Sequence, residues 1–254
     1  MTRRHPPPRS GPPLPGVWLF SDERLAALVE RLAARLPPGS GIVLRHDSLT
    51  PGARWRLARR LMRIARSRGL TVLLAAPPAT ARRWGVDGVH LRHGVENQNL
   101  SKTVRAELVE APFFLQHRQK KEQPFDKLRA NGKNMMHRAR QARKLNLRLS
   151  MPVHDGREAR RARRAGADIV FVSPLHATRS HPGAPALGRK AWLRLARLAA
   201  ARPVALGGMT PPRARMLRRA ATGSGIKPGW AAIDAWDQAA APRGKRQKRK
   251  AVPT

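Results

Sequence analysis

The stretch Asp168–Gly188, DIVFVSPLHATRSHPGAPALG, decides how the chain is expected to fold. Its first part, Ile169–Val172, is a short apolar run that ends abruptly at Ser173-Pro174. Apolar runs of this length, closed by turn residues, are typical of buried strands. The loop that follows is rich in hydroxyls, imidazoles, proline and glycine, and α/β folds carry their sites just past the carboxyl ends of strands. The sequence therefore predicts a buried strand followed by a functional loop.

The same alternation of strand and helix repeats on both sides of this stretch. Further short apolar runs predict strands at Val17–Phe20, Ile42–Leu44, Leu70–Leu74, Gly88–Leu91, Leu147–Val153, Val204–Leu206 and Trp230–Ile233. Between them, apolar residues recur at helical spacing. The expected helix boundaries are Ser21-Asp22, Thr50, Asp155 and Thr210 at the beginnings and Gly69 and Gly166 at the ends. Eight such alternations favour an α/β fold, a (β/α)8 TIM barrel in a single domain, over an open sheet.

The composition excludes several classes of protein. The 254 residues are 41% hydrophobic, which is enough for one large domain with a core of its own. Because there is no cysteine, disulfides and thiolate chemistry are excluded, and a reducing, cytoplasmic location is expected. No apolar run reaches membrane-spanning length, so no membrane partner is expected. The Pro/Arg-rich lead at residues 1–16 and the basic tail at 241–254 are predicted to be disordered.

The net charge of +37 suggests an affinity for polyanions. Arginine is nevertheless spread through every predicted helix, and only Arg243–Lys250 forms a basic cluster. The chain has no tyrosine and few other aromatic residues, so stacking platforms for single-stranded nucleic acid are scarce. We expect nonspecific polyanion binding at low salt, and the hypothesis of a nucleic-acid-associated protein depends on charge alone.

An inserted segment interrupts the barrel pattern after the fourth strand. The stretch TVRAELVE, Thr103–Glu110, can be encoded by codons whose reverse complements encode FDKLRANG, Phe125–Gly132. Selection on the protein gives no reason for such complementarity, so we interpret about 103–132 as a palindromic DNA repeat that entered in frame. It resembles the dispersed repeats of some bacterial genomes; the rival interpretation is a lid over the site. The expected organisation is a barrel at 17–240 interrupted by an insert at 95–134, with a helix resuming at Met136–Lys144.

Three stretches of the chain resemble motifs of thiamine phosphate synthases. DGVHL at Asp87–Leu91 looks like their fourth strand, and SPLHATRSHPGAPALG at Ser173–Gly188 is similar to their G-P-x-x-x-T-x-T-K-x-G-x-x-x-x-G loop. ALGGMTP at Ala205–Pro211 resembles their A-I-G-G-I/M-T-P turn. The resemblance runs from about Val17 to Trp236, apart from the insert.

The resemblance implies a (β/α)8 barrel and a role in thiamine biosynthesis. A synthase of this family is a transferase that couples hydroxymethylpyrimidine diphosphate to thiazole phosphate and releases diphosphate with Mg²⁺ present. A related thiazole tautomerase shifts protons on the same scaffold and needs no diphosphate site. The phosphate- and substrate-binding residues that the motifs imply are Thr178, Ser180, His181, Gly207 and Gly208. Glycine lets backbone N–H groups approach an anion, although a plain tight turn is the alternative explanation of the pair.

The half of the expected site that would hold diphosphate departs from the family pattern. Ala75-Ala76 stand where the family has Asn-Asp, and the second Mg²⁺ carboxylate falls near Val95. Mg²⁺ is therefore expected from the family while its ligands are missing, and we assign no metal-binding residue. Arg45 is kept, and Arg45, His46 and Asp47 would have to substitute for the lost carboxylates.

The candidate catalytic residues are His176, Arg45 and His154. His176 is the preferred general acid/base because it stands in the loop beside Thr178, whereas His90 is expected to be a packed side chain inside the barrel. The sequence leaves open an active synthase-like enzyme, a tautomerase-like isomerase, and a non-catalytic phosphate-ligand-binding pseudoenzyme.

Overall fold

The computed structural model describes residues 13–25, 28–92, 124–178 and 185–233. The strands are β1 (Val17–Ser21), β2 (Gly41–Leu44), β3 (Thr71–Leu74), β4 (Gly88–His90), β5 (Arg148–Val153), β6 (Ile169–Val172), β7 (Arg202–Ala205) and β8 (Gly229–Ala232). The α-helices are α1 (Val29–Arg35), α2 (Pro51–Arg68), α3 (Pro78–Trp84), α4 (Pro124–Lys144), α5 (Gly156–Ala165), α6 (Gly188–Ala199) and α7 (Pro211–Ala220). No helix in these ranges is both long and apolar enough to cross a membrane.

The eight strands form a closed parallel barrel in chain order, which confirms the predicted (β/α)8 fold. Each strand pairs with its neighbours in sequence, and β8 closes the barrel on β1 through Trp18↔Ala231 and Leu19↔Ala232. Strand β6 has the predicted bounds, and the other strands differ from prediction by one or two residues at one end or, for β7 and β8, at both ends. All carboxyl ends of the strands consequently open on one face, where sites of such barrels lie.

Side chains that alternate along the strands fill two separate apolar layers. Trp18, Phe20 and Phe171 point into the barrel and pack edge-to-face, with ring centroids 4.6 to 5.5 Å apart. Their neighbour Leu19 points outward into the larger layer between the sheet and the helices. This alternation follows from the two-residue period of a strand. The barrel interior is thus a packed core, and binding groups must lie at its rim.

Three of the four predicted N-caps are confirmed. Thr50, Asp155 and Thr210 each accept a hydrogen bond from the backbone N–H three residues later. The prediction that Ser21-Asp22 begins the first long helix is wrong, because α1 begins at Val29 without a side-chain cap. The Ser21 hydroxyl instead contacts the ring of His46 and the backbone of Arg45, so its partners lie at the end of the neighbouring strand β2 and not in the following helix.

The predicted insert at 95–134 lies mostly outside the described residues, as do residues 1–12 of the predicted lead at 1–16 and the whole tail at 241–254. Helix α4 begins at Pro124, twelve residues before the predicted Met136. Among the side chains of this helix that the structure describes, from Asn134 onward, Met135, Ala139 and Ala142 are buried. Strands β4 and β5 pair in register from Gly88↔Arg148 to His90↔Ser150 despite the long connection between them.

Candidate functional site

The glycine pair after β7 supports the functional loop after β6. Both residues have positive φ angles, +93° at Gly207 and +59° at Gly208. A Cβ atom on Gly207 would lie 2.8 Å from Pro174 Cα, and one on Gly208 would lie 2.6 Å from the carbonyl oxygen of Ala177. The two segments are joined by backbone hydrogen bonds, including one of 3.2 Å from the His176 N–H to the Gly207 carbonyl. The absence of side chains here allows the two loops to meet.

His176 lies half-buried at this junction, close to two cations. Burial lowers the pKa of His176, and the positive charges of Arg213 and Arg189 lower it further. Its imidazole is therefore neutral near pH 7, with a free base available for proton transfer. Thr178 follows it in the same loop and is also half-buried. Of the other predicted phosphate ligands, Ser180 and His181 lie outside the described residues.

Arg213 is a candidate binding residue that the sequence interpretation missed. It stands in the first turn of α7, and its guanidinium donates a hydrogen bond to the Gly208 carbonyl. Its backbone N–H donates to the N-cap residue Thr210 at 3.4 Å. The sequence signal was available, because the first turn of a helix attracts anions and a basic residue there, just after a Gly-Gly-x-Thr-Pro turn, can add to that attraction.

The other half of the barrel mouth, above β2, β3 and β4, is built around arginines. The Asp47 carboxylate lies 2.6 Å from a guanidinium nitrogen of Arg92 and 3.3 Å from one of Arg54. Arg54 also donates a 2.8 Å hydrogen bond to the carbonyl of Ala75, the residue that stands where the family has Asn. Where the family has Asn-Asp, this chain therefore has only the methyl groups of Ala75 and Ala76, and Arg54 contacts the backbone of Ala75.

Arg45 and His46 follow β2 and turn back toward β1. The Arg45 N–H donates to the Ser21 hydroxyl at 3.2 Å, and the same hydroxyl lies 3.0 Å from Nδ1 of His46. His46 is fully buried and has a φ of +40°, an uncommon conformation for a residue with a side chain. Burial lowers the pKa of His46, while the nearby Glu23 and Asp22 carboxylates act in the opposite direction. The ring is held by a partner 25 residues away, which no local pattern reveals.

His154, the third predicted catalytic residue, interacts with a helix terminus. Its Nδ1 lies 2.8 Å from a Glu158 carboxylate oxygen, and its backbone N–H donates to the same oxygen at 2.7 Å. The hydrogen bond to Glu158 raises the pKa of His154 against the effect of burial. Its side chain is 52% exposed. These contacts of His154 stabilise the beginning of α5. Arg45, in contrast, lies in the half of the mouth above β2, β3 and β4, and His176 lies in the half formed by the β6 loop and the glycine pair.

His90 is a packed interior side chain, as predicted. It is 4% exposed, lies 2.9 Å from the Ser150 hydroxyl and packs edge-on against Phe20 and Phe171. Burial, with smaller contributions from Arg92 and Arg45, lowers the pKa of His90 to about 3. The motif residue Asp87 likewise has a structural contact, since its carboxylate accepts a 2.7 Å hydrogen bond from the Val72 N–H.

The donors around the arginine half do not fit the Mg²⁺ that the resemblance implies. Mg²⁺ requires oxygen ligands, usually one or two carboxylates. Within the described ranges, no group of three or more His, Cys, Asp or Glu residues could hold a metal ion. Asp47 already bridges two positive charges, and Ala75-Ala76 carry no side-chain oxygen.

A comparison with family models matches residues 131–227 to thiamine monophosphate synthase. This match confirms the resemblance on the part of the chain that contains β5, β6, β7 and the glycine pair. A search of curated proteins gives no match.

Several solved structures are similar to this chain. Thiamine phosphate pyrophosphorylase from Pyrococcus furiosus has a TM-score of 0.59 and 18% identity over 87% of this chain and 86% of its own. A FabK variant from Thermotoga maritima has a TM-score of 0.57 and 14% identity over 87% and 61%. The YdjI aldolase from Escherichia coli has a TM-score of 0.52 and 11% identity over 89% and 77%. At these identities, the structural likeness supports the barrel fold.

Proposed function

We propose that this thiamine phosphate synthase-like chain binds thiazole phosphate at the β6–β7 end of the barrel and couples it to hydroxymethylpyrimidine diphosphate in thiamine biosynthesis. The observation that carries the proposal is the junction of the β6 loop with Gly207-Gly208, beside the first turn of α7. It lies within the stretch that matches the family, residues 131–227. The proposal places the chain in the cytoplasm, where its small phosphorylated substrates are available.

Three features of this junction suit a phosphate group. Backbone N–H groups at positive φ can converge on an anion without interference from a Cβ atom. The N-terminus of α7 adds its partial positive charge, and the Arg213 guanidinium adds a full one. We assign Thr178, Ser180 and His181 as the side-chain donors that complete the shell.

The coupling step requires that negative charge on the departing diphosphate be stabilised. Arg45 is the residue carried over from the family at that end of the mouth, and Arg54 and Arg92 lie nearby through Asp47. In this proposal the thiazole nitrogen forms a bond to the pyrimidine methylene carbon as the bond from that carbon to the diphosphate oxygen breaks, and diphosphate leaves. His176, held neutral, lies on the thiazole side of the mouth and adds no positive charge beside the thiazolium product. Transferase activity is accordingly assigned to the two halves of the mouth acting together.

Titration calorimetry with thiazole phosphate tests the binding half. Replacing Arg213 by Gln should weaken binding by about tenfold or more, because a charge-assisted hydrogen bond to phosphate is lost. The matched control is Arg215→Gln, an exposed arginine on the same helix, which should change affinity less than twofold by the same measurement. Equal effects of both variants, or no binding by the unaltered chain, would contradict the proposal. Rescue of a thiamine-requiring strain that lacks its own synthase then tests turnover.

A tautomerase-like isomerase is the second candidate, and the observation that favours it is the neutral His176. A base with a lowered pKa can remove and return a proton without a diphosphate site. Proton NMR of thiazole phosphate in D₂O with the unaltered chain should show exchange of a ring-adjacent hydrogen for deuterium. The His176→Asn variant should not catalyse this exchange. Binding without exchange and without rescue would identify a pseudoenzyme. Tight DNA binding that survives 0.2 M salt would instead promote the nucleic-acid hypothesis.

A further inference from the structure

Three arginines approach the barrel mouth above β2, β3 and β4 from different elements. Arg45 follows β2, Arg54 lies near the beginning of α2, and Arg92 follows β4. The side chains of Arg54 and Arg92 are only 15% and 18% exposed, and both contact the Asp47 carboxylate. Arg45 and Arg92 both act electrostatically on His90, which lies inside the barrel below them. These cationic groups therefore share one part of the rim.

The arginine cluster contains buried polar atoms that the protein does not satisfy. The Nε atoms of Arg45 and Arg54 and the Nε2 atom of His46 are buried and have no hydrogen-bond partner in the described part of the chain. His46 itself is 0% exposed, and its other ring nitrogen is held by Ser21. Buried polar atoms in folded proteins are almost always paired, because leaving one unpaired is destabilising. Arginine Nε can only donate, so the Nε atoms of Arg45 and Arg54 require an acceptor, whereas His46 Nε2 donates or accepts according to its tautomer.

The balance of donors and acceptors here suits an anion and disfavours a divalent cation. Two guanidinium groups carry up to ten N–H donors, and Asp47 is the carboxylate that bridges them. Ala75 and Ala76 contribute no side-chain oxygen, and the Ala75 carbonyl already accepts from Arg54. A phosphate-type oxyanion supplies several acceptors and matches the planar fork of arginine.

We propose that this part of the mouth binds a phosphate or diphosphate group directly through Arg45, Arg54 and Arg92, without a divalent cation, in competition with Asp47. Asp47 holds Arg54 and Arg92 in place, and an incoming oxyanion takes over hydrogen bonds that this carboxylate now accepts. The inference rests on the part of the proposed function that assigns the departing diphosphate to this half of the mouth, and it adds that Arg54 and Arg92, held by Asp47, take the place of a divalent cation. It does not depend on thiazole phosphate binding at Gly207-Gly208.

Calorimetric titration of the full chain with inorganic diphosphate, and separately with inorganic phosphate, tests this proposal. The titrations are made at 0.2 M salt, once in EDTA and once with Mg²⁺. We expect the diphosphate affinity in EDTA to be at least as high as with Mg²⁺. Binding that appears only with Mg²⁺, or no binding of either anion, overturns the proposal. A preference for phosphate over diphosphate would identify the smaller oxyanion as the class of ligand.

Arg92→Gln is the diagnostic variant, because Arg92 makes its ion pair with a side chain rather than with the barrel backbone. It should weaken diphosphate binding by about tenfold or more. The matched control is Arg63→Gln, which removes the same charge from an exposed position on α2, about 13 Å along the helix from Arg54. Equal losses in the two variants would show nonspecific attraction to a basic protein and overturn the proposal.

Asp47→Asn provides a second measurement with the opposite expected sign. It removes the internal competitor while all three arginines remain, so diphosphate binding should tighten by about tenfold, the scale of one charge-assisted contact. Circular dichroism confirms that each variant is folded before it is titrated. An unchanged or weaker affinity in a folded Asp47→Asn chain would overturn the competition between Asp47 and the anion.

Discussion

Acidification should destabilise this barrel through one interior side chain, His90. The imidazole is 4% exposed, packed against Phe20 and Phe171, and paired with the Ser150 hydroxyl. Burial lowers its pKa to about 3 in the folded chain, whereas an unfolded chain would bind the proton near pH 6.5. Its contribution to stability is therefore complete above pH 6.5 and is lost as the pH falls toward 3.

The size of the effect follows from the difference between the two pKa values. Each pH unit between them changes the free energy of unfolding by about 1.4 kcal/mol, and the whole interval amounts to about 5 kcal/mol. A single domain is typically stable by roughly 5 to 15 kcal/mol, so this one histidine accounts for a large part of acid sensitivity. The residue that removes the effect while keeping a polar partner for Ser150 is Gln.

Urea unfolding from pH 7 to pH 4 of the unaltered chain and His90→Gln measures this contribution. The difference in unfolding free energy between the two should change by about 1.4 kcal/mol per unit below pH 6. The control is His154→Gln. The raised pKa of His154 makes its contribution present below its unfolded pKa and lost only as the pH rises through the higher folded value, so its difference should stay nearly constant between about pH 6 and pH 5, where that of His90 changes. Parallel pH profiles for the unaltered chain and His90→Gln would refute the reasoning.

Three further changes test the site, the insert and a helix cap. Gly208→Val should leave the barrel folded but abolish thiazole phosphate binding in calorimetry, because its Cβ would meet the Ala177 carbonyl at 2.6 Å; unaltered binding would contradict the assigned phosphate site. Deleting 104–132 should shift the melting temperature by less than about 4 °C, since Met135 and the later buried residues of α4 remain; a collapse would show that the insert is packed into the fold. Asp155→Ala should lower the unfolding free energy by about 1 kcal/mol in urea titrations, and no change would mean that α5 does not depend on this cap.

The fold could be predicted because its strands are short, buried and bounded by turn residues. The run Ile169–Val172 is apolar on both faces, as strands of a parallel barrel must be. The beginnings of α2 and α5 could be predicted from Thr50 and Asp155, because an N-cap side chain contacts a backbone N–H only three residues later. Local rules of this kind depend on the immediate sequence, and eight repetitions of them specify a closed barrel more strongly than any one element does.

The predicted N-cap at Ser21-Asp22 was wrong because the partners of Ser21 are distant in the sequence. A serine before a helical pattern is a common N-cap, but hydroxyls have other partners available in the folded chain. Here the Ser21 hydroxyl contacts His46 and Arg45 from the neighbouring strand end. The first turn after β1 is consequently a short 3₁₀ turn, closed by the Leu25 N–H on the Asp22 carbonyl.

The arginine half of the mouth could not be predicted from the sequence. Asp47 and Arg92 are 45 positions apart, and nothing in either neighbourhood distinguishes Arg92 or Arg54 from the many other arginines of a chain with a net charge of +37. Their proximity exists only because the ends of β2 and β4 meet on one face of the closed barrel. The sequence did show that Ala75-Ala76 replace the Asn-Asp pair of the family. It could not show which side chains approach that position in the folded chain.

The structural evidence for a bound ligand is stronger in one half of the mouth than in the other. A Cβ atom on Gly207 or Gly208 would clash with the β6 loop, so the local packing of the two loops gives these glycines a second explanation besides anion binding. The arginine half has no such explanation. Enclosing guanidinium groups is destabilising by several kcal/mol unless they are fully paired, and the Nε atoms of Arg45 and Arg54 are buried without a partner in the described structure. Unpaired Nε atoms are also buried at Arg68, at the end of α2, and at Arg202, at the beginning of β7. What distinguishes the arginine half is that Arg54 and Arg92 converge on one carboxylate at the rim, which suits a bound oxyanion. Titration of the arginine half with diphosphate is therefore the more informative test of whether this chain binds a ligand.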